Sequence, residues 1–215
     1  MSKAITFLLA LAGVAFSAQA QDAAAGQRKA AMCIGCHGIP GYQATFPEVY
    51  KVPMLGGQSF KYLTGALAAY KKGERKHPTM RAMAATLSDT DMADLAAFYE
   101  KQGVASIKPM AELPAIQPSG EVAALLAKGA CVSCHGANLS KPIDPSYPKL
   151  AGQQPTYLAA ALRAYGTEGS MYLGRGNAIM AGQVKQFKHD ELKALAQYIG
   201  SLPGELRTVP ESRFR

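Results

Sequence analysis

Apolar positions along this chain recur mostly at intervals of three and four, the spacing that lines one face of an α-helix. Over residues 59–72 it places Tyr62, Leu63, Ala66, Leu67 and Tyr70 on one side. Ser88-Asp89-Thr90-Asp91 resembles a capping box, with Asp where Glu or Gln is usual, and opens a helix that turns Met92, Leu95, Phe98 and Tyr99 inward. Residues 23–32, 156–165 and 189–201 also read as helices, and Ser119 is placed to cap another. No segment sustains the two-residue alternation of a strand, so the pattern predicts an all-α fold with little or no sheet.

One apolar run differs from these. Residues 5–16 follow Lys3 and precede Ala18-Gln19-Ala20, the small-x-small site of a cleaved export signal. The run falls short of the roughly 20 apolar residues that span a bilayer. Residues 1–20 are therefore expected to be a signal peptide, leaving a mature periplasmic chain.

The remainder repeats itself. Cys33-Ile34-Gly35-Cys36-His37 recurs as Cys131-Val132-Ser133-Cys134-His135. Pro53-Met54-Leu55-Gly56-Gly57-Gln58 recurs as Pro148-Lys149-Leu150-Ala151-Gly152-Gln153, and Tyr62-Leu63, Leu67 and Tyr70 as Tyr157-Leu158, Leu162 and Tyr165. Leu95-Ala96-Ala97-Phe98-Tyr99 matches Leu195-Ala196-Gln197-Tyr198-Ile199. Between the copies Pro109, Pro114 and Pro118 stop helices and stiffen a linker. The expected domains are 21–113 and 114–215. Each is short for an independent core, so a buried apolar group is expected to supply part of it.

Charge changes this picture little. The formal net charge is +8, but the basic residues are scattered, with Lys71-Lys72 and Arg75-Lys76 the local cluster. That distribution argues against nucleic acid and fits either an ordinary solvated surface or weak steering toward acidic partners, with transient association at a membrane surface.

The four cysteines in an exported chain invite a disulfide reading. That reading leaves the adjacent histidines unexplained. A thioredoxin-like pair needs a βαβ setting, and a structural zinc site needs four neighbouring ligands. A CxxCH turn instead offers two thioether anchors to haem vinyl groups and directs the next residue at the iron. Cys33, Cys36, Cys131 and Cys134 are thus expected to hold two covalent haem c groups, with His37 and His135 as proximal ligands. Aligning the repeats nominates the sixth ligands: Met80 and Met180 each lie seven residues before Leu87 and Phe187, which precede the matched final helices. Thioether ligation raises the potential relative to a second histidine. His77 rivals Met80, His189 is expected to be an exposed helix start, and Met83 and Met171 are expected to fill the core.

With these motifs the chain resembles the dihaem cytochrome c4 family over essentially the whole mature sequence. The resemblance implies two tandem class I cytochrome c domains related by a pseudo-twofold, with haem propionate edges face to face, His37 and Met80 on one iron and His135 and Met180 on the other. It also implies that the carbonyls of Pro53 and Pro148 accept the Nδ1 protons of the proximal histidines, although a simple turn explains those prolines equally well. Tyr62 and Tyr157 are candidates for bonding propionates or the opposite domain, or for plain packing. Phe187-Lys188 departs from the Leu87-Ser88 of the first repeat, which puts the packing beside the second haem in question. The tail from Pro203 onward, with Arg207, Arg213 and Arg215, has no counterpart in the first repeat. It is either a mobile end or a strap.

The expected function is outer-sphere electron transfer, with no catalytic residues. By resemblance the route runs from a quinol-oxidising membrane complex to a terminal oxidase. The alternative is an electron-accepting subunit of a dehydrogenase, such as a flavocytochrome sulfide dehydrogenase.

Overall fold

The computed structural model describes residues 21–104 and 111–210. The expected signal peptide, Pro109, Arg213 and Arg215 lie outside the described residues. Ten helices and one short hairpin are distributed over the two repeats among the described residues. The first repeat holds α1 (Ala23–Lys29), α2 (Ala31–His37), α3 (Phe60–Lys72), α4 (Pro78–Ala85) and α5 (Asp89–Val104). The second holds α6 (Gly120–Lys128), α7 (Cys131–His135), α8 (Pro155–Gly166), α9 (Ala178–Val184) and α10 (His189–Ser201). No helix among the described residues is long and apolar enough to cross a membrane.

The helix starts follow from local chemistry. Ser59 Oγ accepts the Tyr62 N–H and Ser119 Oγ the Val122 N–H, each at 3.3 Å. Ser88 and Asp91 close the expected box, Asp91 N–H to Ser88 Oγ at 3.1 Å and Ser88 N–H to Asp91 Oδ2 at 2.9 Å. The continuous helix expected over 23–32 is instead two, broken at Ala30, which is 1% exposed beneath the turn.

In the first domain α1 crosses α5, which also packs on α3, and in the second α10 packs on α8 and α6. Met92, Leu95, Phe98 and Tyr99 enter the first core together with Leu63 and Leu87. Leu125, Leu158, Leu195 and Ile199 lead the second, where Phe187 and Cys131 pack against the same cluster. Gly57 and Gly152 occupy left-handed turns at φ 85 and 76, conformations that an L side chain rarely adopts. A Cβ on Gly57 would also meet Glu205 O at 2.4 Å.

The little sheet expected is a single ladder among the described residues, and one expectation about the core fails. Gln43–Ala44 and Tyr50–Lys51 form a small antiparallel ladder, β1 and β2, that packs on α8 of the other domain. Met83 and Met171 are 37% and 77% exposed, so neither fills a core. The tail is a strap as far as it is described: Arg207 pairs with Gly56 of the first domain, and Glu205 ion-pairs with Lys149 of the second.

Candidate functional site

Each CxxCH segment is a short helix ending in its histidine, α2 in one repeat and α7 in the other. The four cysteines are free and half-buried. Burial pushes the Cys33 and Cys131 thiols up, which keeps them protonated. His37 Nδ1 lies 2.9 Å from the Pro53 carbonyl and His135 Nδ1 lies 3.0 Å from that of Pro148. A carbonyl only accepts, so Nδ1 carries the hydrogen in both rings. Burial lowers the pKa of both histidines and favours neutral imidazole, leaving the Nε2 lone pair free for a metal. The hydrogen bond implied by the resemblance is therefore present at both sites.

The two methionines occupy equivalent positions. Met80 is the third residue of α4 and Met180 the third of α9. The residue before each helix has nearly the same backbone, φ −143 ψ 110 at His77 and φ −145 ψ 110 at Asn177. Each uses its side chain to accept the methionine's N–H, His77 Nδ1 at 3.3 Å and Asn177 Oδ1 at 2.9 Å. His77 is thus a helix cap, and its ring also stands against Tyr50 with centroids 6.3 Å apart. It lies near enough to His37 for its charge to lower that residue's pKa. His189 is exposed at the start of α10.

At the seam between the domains, Tyr62 and Tyr157 each meet an arginine that was given no such role above. Arg75 Nη2 donates to Tyr62 Oη at 3.3 Å, and Arg175 Nη2 to Tyr157 Oη at 3.0 Å. Arg75 stacks over Tyr62 and Tyr70 at 5.2 and 5.6 Å, and Arg175 over Tyr157 and Tyr165 at 5.3 and 5.5 Å. Tyr62 and Tyr157 lie near enough across the seam for each to influence the other's ionisation. Among the described residues neither arginine forms an ion pair. Two half-buried guanidinium groups without carboxylates call for anions, and a haem at each CxxCH turn would bring two propionates. The residues present fit the cofactor. The signal was available in the repeat: each arginine stands five residues before its methionine.

The cytochrome c family model matches residues 23–102 and again 121–203. Cytochrome c4 of Azotobacter vinelandii is 35% identical over 94% of this chain and 100% of its own length. The chain belongs to the dihaem cytochrome c4 family. A Thiomonas intermedia relative described as a thiosulfate dehydrogenase electron acceptor is 30% identical, covering 91% of this chain and 89% of that protein. Reduced recombinant cytochrome c4 from Pseudomonas stutzeri superposes with a TM-score of 0.58 at 28% identity, covering 86% of this chain and 100% of that one. Membership gives the chain two covalently bound haem c groups, one for each Cys pair at 33/36 and 131/134, and makes it an electron carrier rather than a catalyst.

Proposed function

We propose that this chain is a periplasmic carrier whose first iron is held by His37 and Met80 and whose second is held by His135 and Met180. Haem c bound at each turn supplies a one-electron couple. The chain's own residues do the rest. Pro53 and Pro148 fix the planes of the proximal imidazoles, and His77 and Asn177 set the helices that present the methionines. With an imidazole and a thioether held in place for each iron, little would reorganise when an electron arrives.

The observation that carries this reading is the duplication of the whole site, imidazole, carbonyl and capped methionine, at matching positions in both domains. Arg75, Arg175, Tyr62 and Tyr157 stand together at the seam, where they would receive the propionates of haems held at the two CxxCH turns and would let an electron enter one domain and leave from the other. The proposed route runs from a quinol-oxidising membrane complex to a terminal oxidase, through small, brief encounters. A redox titration of the haem-loaded protein that follows the ferric Met–iron charge-transfer band tests it. Two low-spin haems with that band, and no binding of cyanide or carbon monoxide, are expected. One haem without the band would overturn the assignment at that site.

A second reading has specific support in the Thiomonas relative: reduction by a dehydrogenase that oxidises an inorganic sulfur compound. Co-purification with a larger catalytic chain, or rapid reduction by such an enzyme but not by a quinol-oxidising complex, distinguishes the two.

A further inference from the structure

Gln58 and Gln153 are 3% and 4% exposed, unusually low for a side chain with four hydrogen-bonding positions. Each spends its amide on one residue of the other domain. Gln153 Oε1 accepts the Met54 N–H at 2.9 Å, and its Nε2 donates to the Met54 carbonyl at 3.0 Å. Gln58 Oε1 accepts the Lys149 N–H at 3.0 Å, and its Nε2 donates to the Lys149 carbonyl at 3.0 Å. Each Oε1 also accepts the N–H of the residue that follows it, Ser59 or Gln154. Both amides are thereby committed.

What lies beyond the gripped residue gives the contact its meaning. Met54 N–H and Pro53 C=O belong to one planar peptide unit, as do Lys149 N–H and Pro148 C=O. The carbonyl end of each unit holds a proximal histidine. A continuous chain therefore runs from Gln153 Oε1 through the Pro53–Met54 peptide to His37, and another from Gln58 through Pro148–Lys149 to His135. An acceptor on the N–H of a peptide polarises its carbonyl into a better acceptor. A stronger Nδ1–H···O bond makes the imidazole a stronger donor to its metal.

We propose that Gln58 and Gln153 are crossed positioning residues, each tuning the proximal histidine of the haem in the other domain through one shared peptide unit. The proposal rests on the axial assignment above and adds a route by which each domain sets its neighbour's potential. Losing the glutamine weakens the carbonyl's hold, makes the imidazole a poorer donor and favours ferrous iron, so the potential of the opposite haem rises.

The test uses the full-length, haem-loaded protein and Q153M and Q58M, which keep an unbranched side chain but cannot make these bonds. The potential of each haem is followed by spectroelectrochemistry with NMR assignment. Q153M is expected to raise the first-domain haem by on the order of threefold in its reduction constant, about 28 mV at 59 mV per tenfold for one electron. Q58M is expected to do the same to the second-domain haem. An equal shift in both haems, a shift confined to the haem of the mutated domain, or no shift overturns the proposal.

Q153E, which keeps the acceptor for Met54 N–H, is the rescue. It is expected to return the His37 Nδ1–H resonance of the ferrous protein toward wild type while Q153M displaces it. Identical resonances in Q153E and Q153M would sink the idea even if one variant matures poorly. A wild type lacking a Met–iron band would instead defeat the axial assignment, so the two failures are separable.

Discussion

Arg75 and Arg175 meet backbone to backbone across the seam in an antiparallel bridge, two cations brought together from the same place in each repeat. Adjoining contacts hold the bridge: Gly176 N–H donates to Glu74 O at 2.6 Å and Lys76 N–H to Gly174 O at 2.9 Å. Like charges at such a place repel unless anions lie between them. Shared haem carboxylates would turn that repulsion into attraction and make the arginines common to both cofactors.

The first prediction follows from their charge. A cation near either iron disfavours the more positive ferric form. R75Q and R175Q should each lower both midpoint potentials, by on the order of tenfold in the reduction constant for the nearer haem, 59 mV for one electron. R75K retains the charge and should recover most of the shift. Spectroelectrochemistry on the three variants checks this, and an unmoved pair of potentials would place the propionates elsewhere.

Acid sensitivity should trace to the crossing of α1 and α5. Lys29 Nζ sits 2.7 Å from both Asp91 Oδ1 and Asp94 Oδ2, and Asp94 Oδ1 accepts the Asp22 N–H at 2.9 Å. Hydrogen bonds from Lys29, above all, hold both carboxyls below the usual carboxylate range and raise the lysine above its own. Stability from depressed carboxyls is present above their unfolded values, near 3.8, and is lost as the pH falls through the folded ones. The raised lysine contributes below its unfolded value of 10.5, and that part is lost as the pH rises through its folded one. K29M should therefore melt below wild type at pH ~7, and the gap should begin to narrow only below about 3.8 and close as the pH falls through the depressed folded values. Melting curves across that range decide it.

The same crossing depends on a missing side chain. A Cβ on Gly26 would lie 2.0 Å from Asp94 O and 2.8 Å from Phe98 Cβ, both parts of α5 rather than yielding side-chain ends. G26A should cost about 1–3 kcal/mol through displacement of α1. Denaturant unfolding with an unchanged m-value would report it, and a neutral outcome would mean that α1 can slide without loss.

Local chemistry made much of the fold legible. α3, α5 and α10 follow from three- and four-residue spacing, α5 and α6 also from the caps at Ser88 and Ser119, and the duplicated CxxCH turns named the cofactor. Part of what stayed hidden depends on the other domain. The β1–β2 hairpin is too short to announce itself and is held from outside, with Lys51 N–H on Thr156 Oγ1 at 3.0 Å and Glu48 on Arg163 at 2.7 Å. Arg75 and Arg175 read as ordinary surface charge, yet each folds back over two tyrosines of its own repeat. Met83 and Met171 read as core because methionine usually is, yet the helix and loop that carry them turn them outward.

The rivalry between His77 and Met80 yields the last prediction. A histidine that ligates iron must direct a ring-nitrogen lone pair at the metal, whereas His77 Nδ1 accepts the Met80 N–H, which puts the ring hydrogen of the neutral imidazole on Nε2, and the ring meets Tyr50 edge-on. Asn177 performs the same capping at the second site with no imidazole at all. The cap, rather than the imidazole, is the feature common to both sites. H77N should therefore preserve the ferric Met–iron band of both haems, since asparagine is a strong cap in its own right. M80A should remove about half of that band and open one iron to cyanide, while M180A removes the other half. Loss of the band in H77N with retention in M80A would reverse the assignment and make the first haem bis-histidine, with a lower potential than its partner.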